Sequence, residues 1–122
     1  MSQATIEAKT AEKERPIPLI QDSGCPMPDI AKLIGGKWKL IILQMLIFHG
    51  TKRFNELRRG IEGITQTMLT NQLRALEENG LVARKVYPEI PPRVEYTATE
   101  RAHGLKKMFL AMHDWYMAEQ KR

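Results

Sequence analysis

The spacing of apolar residues changes along the chain, and each change predicts a new element. Residues 38–48 (WKLIILQMLIF) are apolar on almost every side, and their length and the following Gly50 favour a buried helix over a strand. A short helix is predicted before this run, ending at Gly35 and Gly36, and a short amphipathic helix is predicted after it, over residues 52–59. This part of the chain is therefore predicted to be helical.

A second amphipathic helix is predicted over residues 65–79. Three leucines at positions i, i+4 and i+7 form its inward stripe: Leu69, Leu73 and Leu76. Thr65 is placed to cap the first turn, and Asn79 with Gly80 is placed to end the helix. A tight glycine-containing turn separates it from the preceding short helix, so the pair is predicted to be a helix-turn-helix.

The pattern then changes to that of β-strands. Residues 81–87 and 93–98 are rich in β-branched and aromatic side chains, and the proline-rich segment 88–92 joins them as a hairpin. Thr99 is placed to cap a final helix. The broad apolar stripe of that helix consists of Leu105, Met108, Phe109, Met112 and Trp115. The order of elements predicts a mainly α fold with a small β-hairpin, a winged helix-turn-helix.

Length and composition limit the chain to one domain. With 122 residues, of which 43% are apolar, it has room for a modest core. Its formal net charge of +5 suits a polyanionic partner, although many soluble proteins are equally basic.

Residues 1–24 carry few large apolar side chains and are predicted to be a flexible N-terminal arm, with the domain spanning residues 25–122. Neither a membrane-spanning run nor a signal peptide is recognisable, so a cytoplasmic location is predicted.

The side of helix 65–79 opposite its leucines is polar. Four side chains there are candidates for reading base edges: Thr67, Thr70, Asn71 and Arg74. Asn can bond an adenine edge and Arg a guanine edge, each through two hydrogen bonds, and a Thr methyl group can contact a thymine methyl group. Gln66, at the helix start, is a candidate phosphate contact beside the free backbone amides. Taken alone, this pattern fits an ordinary solvated helix surface better.

Basic residues before and after this helix change that balance. Four residues in the preceding predicted helix are expected to neutralise phosphates: Lys52, Arg53, Arg58 and Arg59. The predicted hairpin adds Arg84, Lys85 and Arg93, and Arg93 is predicted to contact the DNA backbone. Because these charges lie where a winged helix meets DNA, they favour DNA binding over the solvated-surface interpretation.

Residues 25 to about 105 resemble the HxlR family of winged-helix transcription regulators, which is similar to the MarR regulators. The resembling segments are Cys25-Pro26, IGGKWKLIIL (34–43), the run from RFNELRR to VYPEIPPRVEY (53–96) and Thr99-Glu100. After this Thr-Glu pair the family usually continues with Leu-Gly, whereas this chain has Arg101 and Ala102. The residue at which the last helix starts is therefore not predicted. The predicted fold is unaffected by this departure.

The resemblance implies a sequence-specific regulator that binds double-stranded DNA as a homodimer formed by its terminal helices. It implies that helix 65–79 enters the major groove and that the wing, residues 87–93, lies on flanking DNA. Two-fold symmetry then implies a pseudo-palindromic operator with half-sites about one helical turn apart. Cys25 matches a cysteine through which some members sense oxidants or electrophiles, while many others carry it without a known sensing role.

Other classes of protein have less support. The main alternative is a winged helix that contacts another protein without reading DNA, and it should show apolar anchors in place of Thr67, Asn71 and Arg74. No nucleophile, base and oxyanion donors are recognisable as a set, so no enzyme is predicted. A single cysteine and three widely spaced histidines predict no metal site, and no cofactor is predicted. The sequence leaves a small-molecule effector open.

Overall fold

A computed structural model describes residues 24–121 of the chain. Within them the elements are α1 (Met27–Ile34), α2 (Lys37–His49), β1 (Lys52–Arg53), α3 (Phe54–Gly60), α4 (Gln66–Glu78), β2 (Val82–Tyr87), β3 (Arg93–Ala98), α5 (Glu100–His103) and α6 (Lys106–Gln120). The chain divides into two units after Lys32. The predicted arm over residues 1–24 lies outside the described residues except for Gly24, so the domain start at residue 25 stays a prediction.

The core of the unit from Leu33 onward is built around α2, as its apolar pattern predicts. Ile42 and Leu43 are completely buried and Leu46 is 1% exposed. A helix without a polar side is stable only where other elements cover it, and α4, α5 and β3 pack against α2. The other buried apolar side chains that complete this core are Ile47, Leu57, Ile61, Ile64, Leu69, Leu73, Leu76, Leu81, Val82, Tyr96, Ala98, Ala102 and Phe109.

The sheet has three strands in the described part of the chain, not the predicted two. Its order is β1-β3-β2, and both neighbouring pairs are antiparallel. Lys52 pairs with Tyr96 and Arg53 pairs with Glu95, so the prediction that a helix begins at Lys52 is wrong. These two residues pair with the edge of β3 that β2 leaves unpaired, so that β3 becomes the central strand. The next helix starts only after Arg53, whose amide donates a 2.8 Å hydrogen bond to Glu56 Oε1.

The helix predicted after Thr99 is interrupted near its start. The Thr99 hydroxyl accepts a hydrogen bond from the Ala102 amide at 3.2 Å and caps α5, as predicted. A 3₁₀-type turn follows, in which the Leu105 amide donates to the Ala102 carbonyl three residues earlier. Gly104, a poor helix former, lies in this turn, and α6 begins after it. The expectation of one continuous final helix is therefore wrong.

The apolar surface of α6 is only partly covered. Phe109 is buried and its ring meets the Phe48 ring edge to face, with 6.2 Å between the ring centres. The exposed large apolar side chains of this helix are Leu110, Met112, Trp115, Tyr116 and Met117. Of the predicted stripe, Phe109 therefore lies in the core, whereas Met112 and Trp115 face solvent. Neither α6 nor any other helix within residues 24–121 is long and apolar enough to cross a membrane.

Candidate DNA-binding surface

Helix α4 turns its leucines inward and its polar side outward, as predicted. The Thr65 hydroxyl oxygen accepts a hydrogen bond from the Met68 amide at 3.1 Å and so caps the helix start. Asn79 is the capping residue at the other end. The three leucines of the predicted stripe are each 2% exposed or less: Leu69, Leu73 and Leu76. Burial therefore fixes which side of α4 is available to a partner.

The turn between α3 and α4 is determined by Gly63. Its φ of +85° is a left-handed conformation that residues with a side chain rarely adopt. Ile61 and Ile64, on either side of it, are buried and anchor the turn in the core. A Cβ atom at Gly63 would lie 3.9 Å from the Trp38 ring, so backbone conformation rather than space requires glycine here. The turn thereby sets the angle at which α4 leaves α3.

The predicted base-reading residues lie on the outward side of α4. Thr67, Asn71 and Arg74 are exposed, and the predicted phosphate contact Gln66 is exposed in the first turn. Thr70 is half-buried at the edge of this side. Thr70 and Arg74 line a cleft of about 350 Å³ together with Glu77 and Arg84. The cleft extends the polar surface from α4 to the first strand of the wing.

Arg84 belongs to this surface, although the sequence assigned it no specific contact. It is paired with Tyr96 across the sheet, and directly opposed residues project from the same sheet face. Because Tyr96 is 8% exposed, this face is turned toward the core and α4. Arg84 consequently reaches the cleft beside Arg74. The sequence signal is the two-residue alternation along β2, in which Arg84 shares a face with the buried Val82.

The four predicted phosphate contacts lie on two elements rather than on one helix. Lys52 and Arg53 are consecutive strand residues and project from opposite sheet faces. Lys52 is half-buried on the face of Tyr96, whereas Arg53 is exposed. Arg58 and Arg59 are exposed in the last turn of α3. The positive charge is therefore spread across the strand and helix that precede α4.

The Arg93 side chain contacts three other residues of the wing. Its guanidinium carbon lies 3.9 Å from the centre of the Tyr87 ring, and the two residues are paired across the hairpin. Arg93 Nη2 lies 3.1 Å from Glu89 Oε2, and Nε lies 3.7 Å from Glu95 Oε2. The second distance exceeds hydrogen-bonding length, and the buried Nε has no hydrogen bond. Any phosphate that contacts Arg93 must compete with these two carboxylates.

Glu56 is an acidic residue among these cations. The hydrogen bond from the Arg53 amide lowers the pKa of the Glu56 carboxyl, and attraction to Lys52, Arg53 and Arg59 adds to this effect. Glu56 is therefore ionised at neutral pH. Its charge stabilises the first turn of α3 and offsets part of the surrounding positive charge.

Cys25 is half-buried and lies two residues before the start of α1, in the N-terminal unit. Neither its exposure nor its position tests the sensing role, which stays a prediction. Over residues 24–121, no three His, Cys, Asp or Glu side chains are grouped so that they could hold a metal ion.

Sequence comparison places the chain among known regulators. The family model described as HxlR-like helix-turn-helix matches residues 33–122. The protein YdeP of Bacillus subtilis (strain 168), described as an uncharacterized HTH-type transcriptional regulator, is 51% identical over 92 residues. That match covers 75% of this chain and 71% of YdeP.

Solved structures with the same fold agree with this match. The redox regulator HypR in its reduced form is 45% identical, with a TM-score of 0.73, and the match covers 78% of this chain and 93% of HypR. A transcriptional regulator of the MarR family from Enterococcus faecalis V583 is 39% identical, with a TM-score of 0.70, and the match covers 87% of this chain and 97% of that protein. With its winged helix-turn-helix and a family match over most of its length, the chain belongs to the HxlR-like helix-turn-helix family of transcriptional regulators.

Proposed function

We propose that this regulator reads duplex DNA by placing α4 in the major groove. The observation that carries the proposal is the division of α4 into a buried leucine side and an exposed side that presents Thr67, Asn71 and Arg74. Hydroxyl, amide and guanidinium groups match the hydrogen-bonding groups on base edges in that groove. A winged helix that docks on another protein would need apolar anchors at these positions. DNA in the cytoplasm is the proposed partner, and no enzymatic step is part of the proposal.

Contacts to the DNA backbone come from residues around α4 in this proposal. They are Lys52, Arg53, Arg58, Arg59 and Gln66. Gln66 lies beside the free amides of the first turn of α4, where phosphate binds favourably. Arg84 adds a cation next to Arg74. We assign Arg93 to the internal structure of the wing, because Glu89 and Glu95 already neutralise its charge.

The regulator acts as a homodimer in this proposal. A groove of about 670 Å³ between α2 and α6 is lined mainly by apolar side chains, among them Leu40, Phe48, Leu110 and Met112. Further apolar side chains of α6, led by Trp115 at 65% exposure, face solvent in the single chain. Contiguous apolar surface of this kind marks an interaction site, and a second copy covers it with its own α6. Two α4 helices related by this symmetry suit a pseudo-palindromic operator with half-sites about one helical turn apart.

Redox sensing through Cys25 is the second candidate function. It is favoured by the structural relative HypR, which is described as a redox regulator. A peroxide would oxidise the thiol to a sulfenic acid, which can condense with the thiol of the second copy to an inter-subunit disulfide and water. Mass spectrometry after mild peroxide treatment measures this product. An unmodified Cys25 together with unchanged DNA affinity would rule out the sensing role.

A salt titration on duplex DNA tests the main proposal. The probe is the region upstream of the regulator's own gene, with a shuffled duplex of equal composition as the control. A protein that contacts 6–10 phosphates loses roughly 10³- to 10⁵-fold in affinity between about 50 and 200 mM salt. We expect a steep fall of this kind and tighter binding to the upstream region than to the shuffled duplex. An affinity that is independent of salt contradicts DNA binding, and equal affinities contradict sequence reading.

A further inference from the structure

Three consecutive backbone carbonyls that follow α4 accept hydrogen bonds from the segment that begins α5. Arg101 Nη1 donates to the Asn79 carbonyl. Thr99 Oγ1 donates to the Gly80 carbonyl at 2.7 Å, and the Thr99 amide donates to the Leu81 carbonyl at 3.1 Å. We call these five residues, 79–81 with 99 and 101, the α4 clasp. It joins the end of the proposed recognition helix to the start of the C-terminal helices.

The clasp supplies hydrogen-bond donors to carbonyls just after α4, where no further helical amides follow to donate to them. The last carbonyls of an α-helix have no partner within the helix. The Gly80 and Leu81 amides still donate back to the Glu77 and Leu76 carbonyls, at 3.1 and 2.9 Å, but the chain then turns away at Gly80, whose φ is +73°. The Asn79 carbonyl faces the guanidinium of Arg101 at this point. A cation also suits the negative end of the helix dipole.

Arg101 is the member of the clasp whose contribution can be tested separately. The Thr99 hydroxyl has a second task, because it also accepts the hydrogen bond that caps α5. Substituting Thr99 would therefore disturb two helices at once. The Arg101 side chain is exposed, and its neighbour Ala102, not Arg101, fills the core at this point. A change at Arg101 can thus remove one contact of α4 while the core is retained.

We propose that Arg101 is a positioning residue for α4, which sets the tilt of this helix in the major groove. The inference rests on the proposed function of α4. The Thr65 cap holds the first turn of the helix and the buried leucines hold its inward side, while Arg101 and Thr99 add hydrogen bonds to the carbonyls where the chain leaves the other end. Paired hydrogen bonds to a base edge require close alignment, whereas flexible cations can follow a displaced phosphate. Arg101 therefore contributes to sequence-specific affinity and little to non-specific affinity.

The test compares three variants on two DNA probes. Arg101→Met removes the guanidinium and keeps an unbranched side chain, Arg101→Lys keeps the charge and a donor, and Lys107→Met removes an equal charge from exposed α6. The probes are a duplex that the wild-type protein enriches from a random pool and a shuffled duplex of the same composition. We expect Arg101→Met to weaken binding to the enriched duplex about three- to tenfold, as loss of a typical hydrogen bond suggests for this exposed side chain, and binding to the shuffled duplex less than about twofold. Arg101→Lys should restore part of the loss, and Lys107→Met should preserve the ratio of the two affinities.

Two results would overturn the proposal. One is an unchanged ratio of the two affinities in Arg101→Met. The other is an equal loss in Lys107→Met, which would show that charge alone is responsible. If Arg101→Met does not fold, Arg101→Lys is used instead. It should lower the ratio of the affinity for the enriched duplex to that for the shuffled duplex by a smaller factor, and an unchanged ratio would overturn the proposal.

Failure of the proposed function is distinguishable from failure of the clasp. If the wild-type protein enriches no sequence, α4 does not read DNA, whatever Arg101 does. The clasp is then tested by amide hydrogen exchange on the full chain. Arg101→Met should accelerate exchange of the Asn79 and Gly80 amides relative to Lys107→Met, and equal exchange rates would overturn the positioning role.

Discussion

The guanidinium carbon of Arg93 lies 3.9 Å from the centre of the Tyr87 ring. These residues form the last paired position before the wing's tip, so their contact closes the hairpin. Glu89 reaches Arg93 from the tip side, and Ile90 beyond it is completely exposed. The stack therefore sets the direction in which the tip leaves the sheet.

Replacing Arg93 should affect the wing more than the phosphate contacts. We expect Arg93→Met to lower the free energy of unfolding by about 0.5–2 kcal/mol, because the half-buried cation–π contact with Tyr87 and the ion pairs with Glu89 and Glu95 are lost together. The slope of log affinity against log salt should stay unchanged, because Arg93 contacts its own carboxylates. Arg58→Met is the matched control and should reduce the slope by about 1. Equal reductions in both variants would show that Arg93 also contacts phosphate.

The Thr65 cap should contribute measurably to stability. Thr65→Ala removes the acceptor of the Met68 amide and should lower the free energy of unfolding by about 1 kcal/mol. In a domain of this size that loss shifts the thermal midpoint by about 4–8 °C. Thr65→Ser keeps the hydroxyl and should retain most of the stability. Thr67→Ala serves as the control on the exposed side of α4, and a comparable loss there would contradict the capping explanation.

The parts of the fold that the sequence predicts well are those whose residues share one period. The leucines of α4 are buried as expected, because burial of one helix side leaves its period in the sequence. The prediction that α2 is buried on every side holds only for Ile42, Leu43, Leu46 and Ile47, since Leu40, Ile41 and Phe48 are half-buried and line the groove beside α6. Thr65 and Thr99 are capping residues as expected, since capping depends on residues within one turn. Local patterns therefore sufficed for most of the helix-turn-helix.

The missed features depend on contacts between distant residues. Strand β1 is too short to show a period, and only its pairing with β3 makes it a strand. The sequence shows Arg93 near Glu89 and Glu95, but it does not show that the hairpin brings both carboxylates to one guanidinium. The contact between Arg101 and Asn79 likewise exists only after β2 and β3 have folded back. Such pairings follow from tertiary structure and leave no local signal.

Base reading and backbone contact should separate in two arginine variants. Arg74→Ala should cost about 1–3 kcal/mol of binding free energy on the enriched duplex and relax the preference at one base pair of each half-site. Arg58→Ala should weaken binding to every duplex by a similar factor. Competition binding on duplexes with single base-pair changes measures both. If Arg74→Ala weakens all sequences equally, Arg74 contacts the backbone instead.

The lowered pKa of Glu56 predicts how stability depends on pH. Its folded-state pKa lies below the ordinary value of 4.5, so its stabilising effect is fully present above that value. The effect is lost as the pH falls through the lowered folded-state pKa. Urea denaturation at pH values from about 6 to 3 should therefore show a smaller loss of stability for Glu56→Gln than for the wild type. Glu62→Gln, on an exposed turn, is the control and should follow the wild type.

The exposed apolar surface of α6 predicts the oligomeric state. Met112→Glu places a charge in the groove between α2 and α6, and burying that charge in a dimer is costly. We expect this variant to be a folded monomer in sedimentation experiments, because Met112 is 41% exposed in the single chain. Lys107→Glu introduces the same side chain on the polar side of α6 and should remain dimeric.

The same pair of variants tests whether the dimer is needed for operator binding. Met112→Glu should bind a duplex with two half-sites no more tightly than a duplex with one, because two linked α4 helices are required for the gain in affinity. Lys107→Glu should keep the preference for two half-sites. A Met112→Glu protein that remains dimeric would contradict the proposed interface, and a monomer with full affinity for the paired site would show that each subunit binds independently.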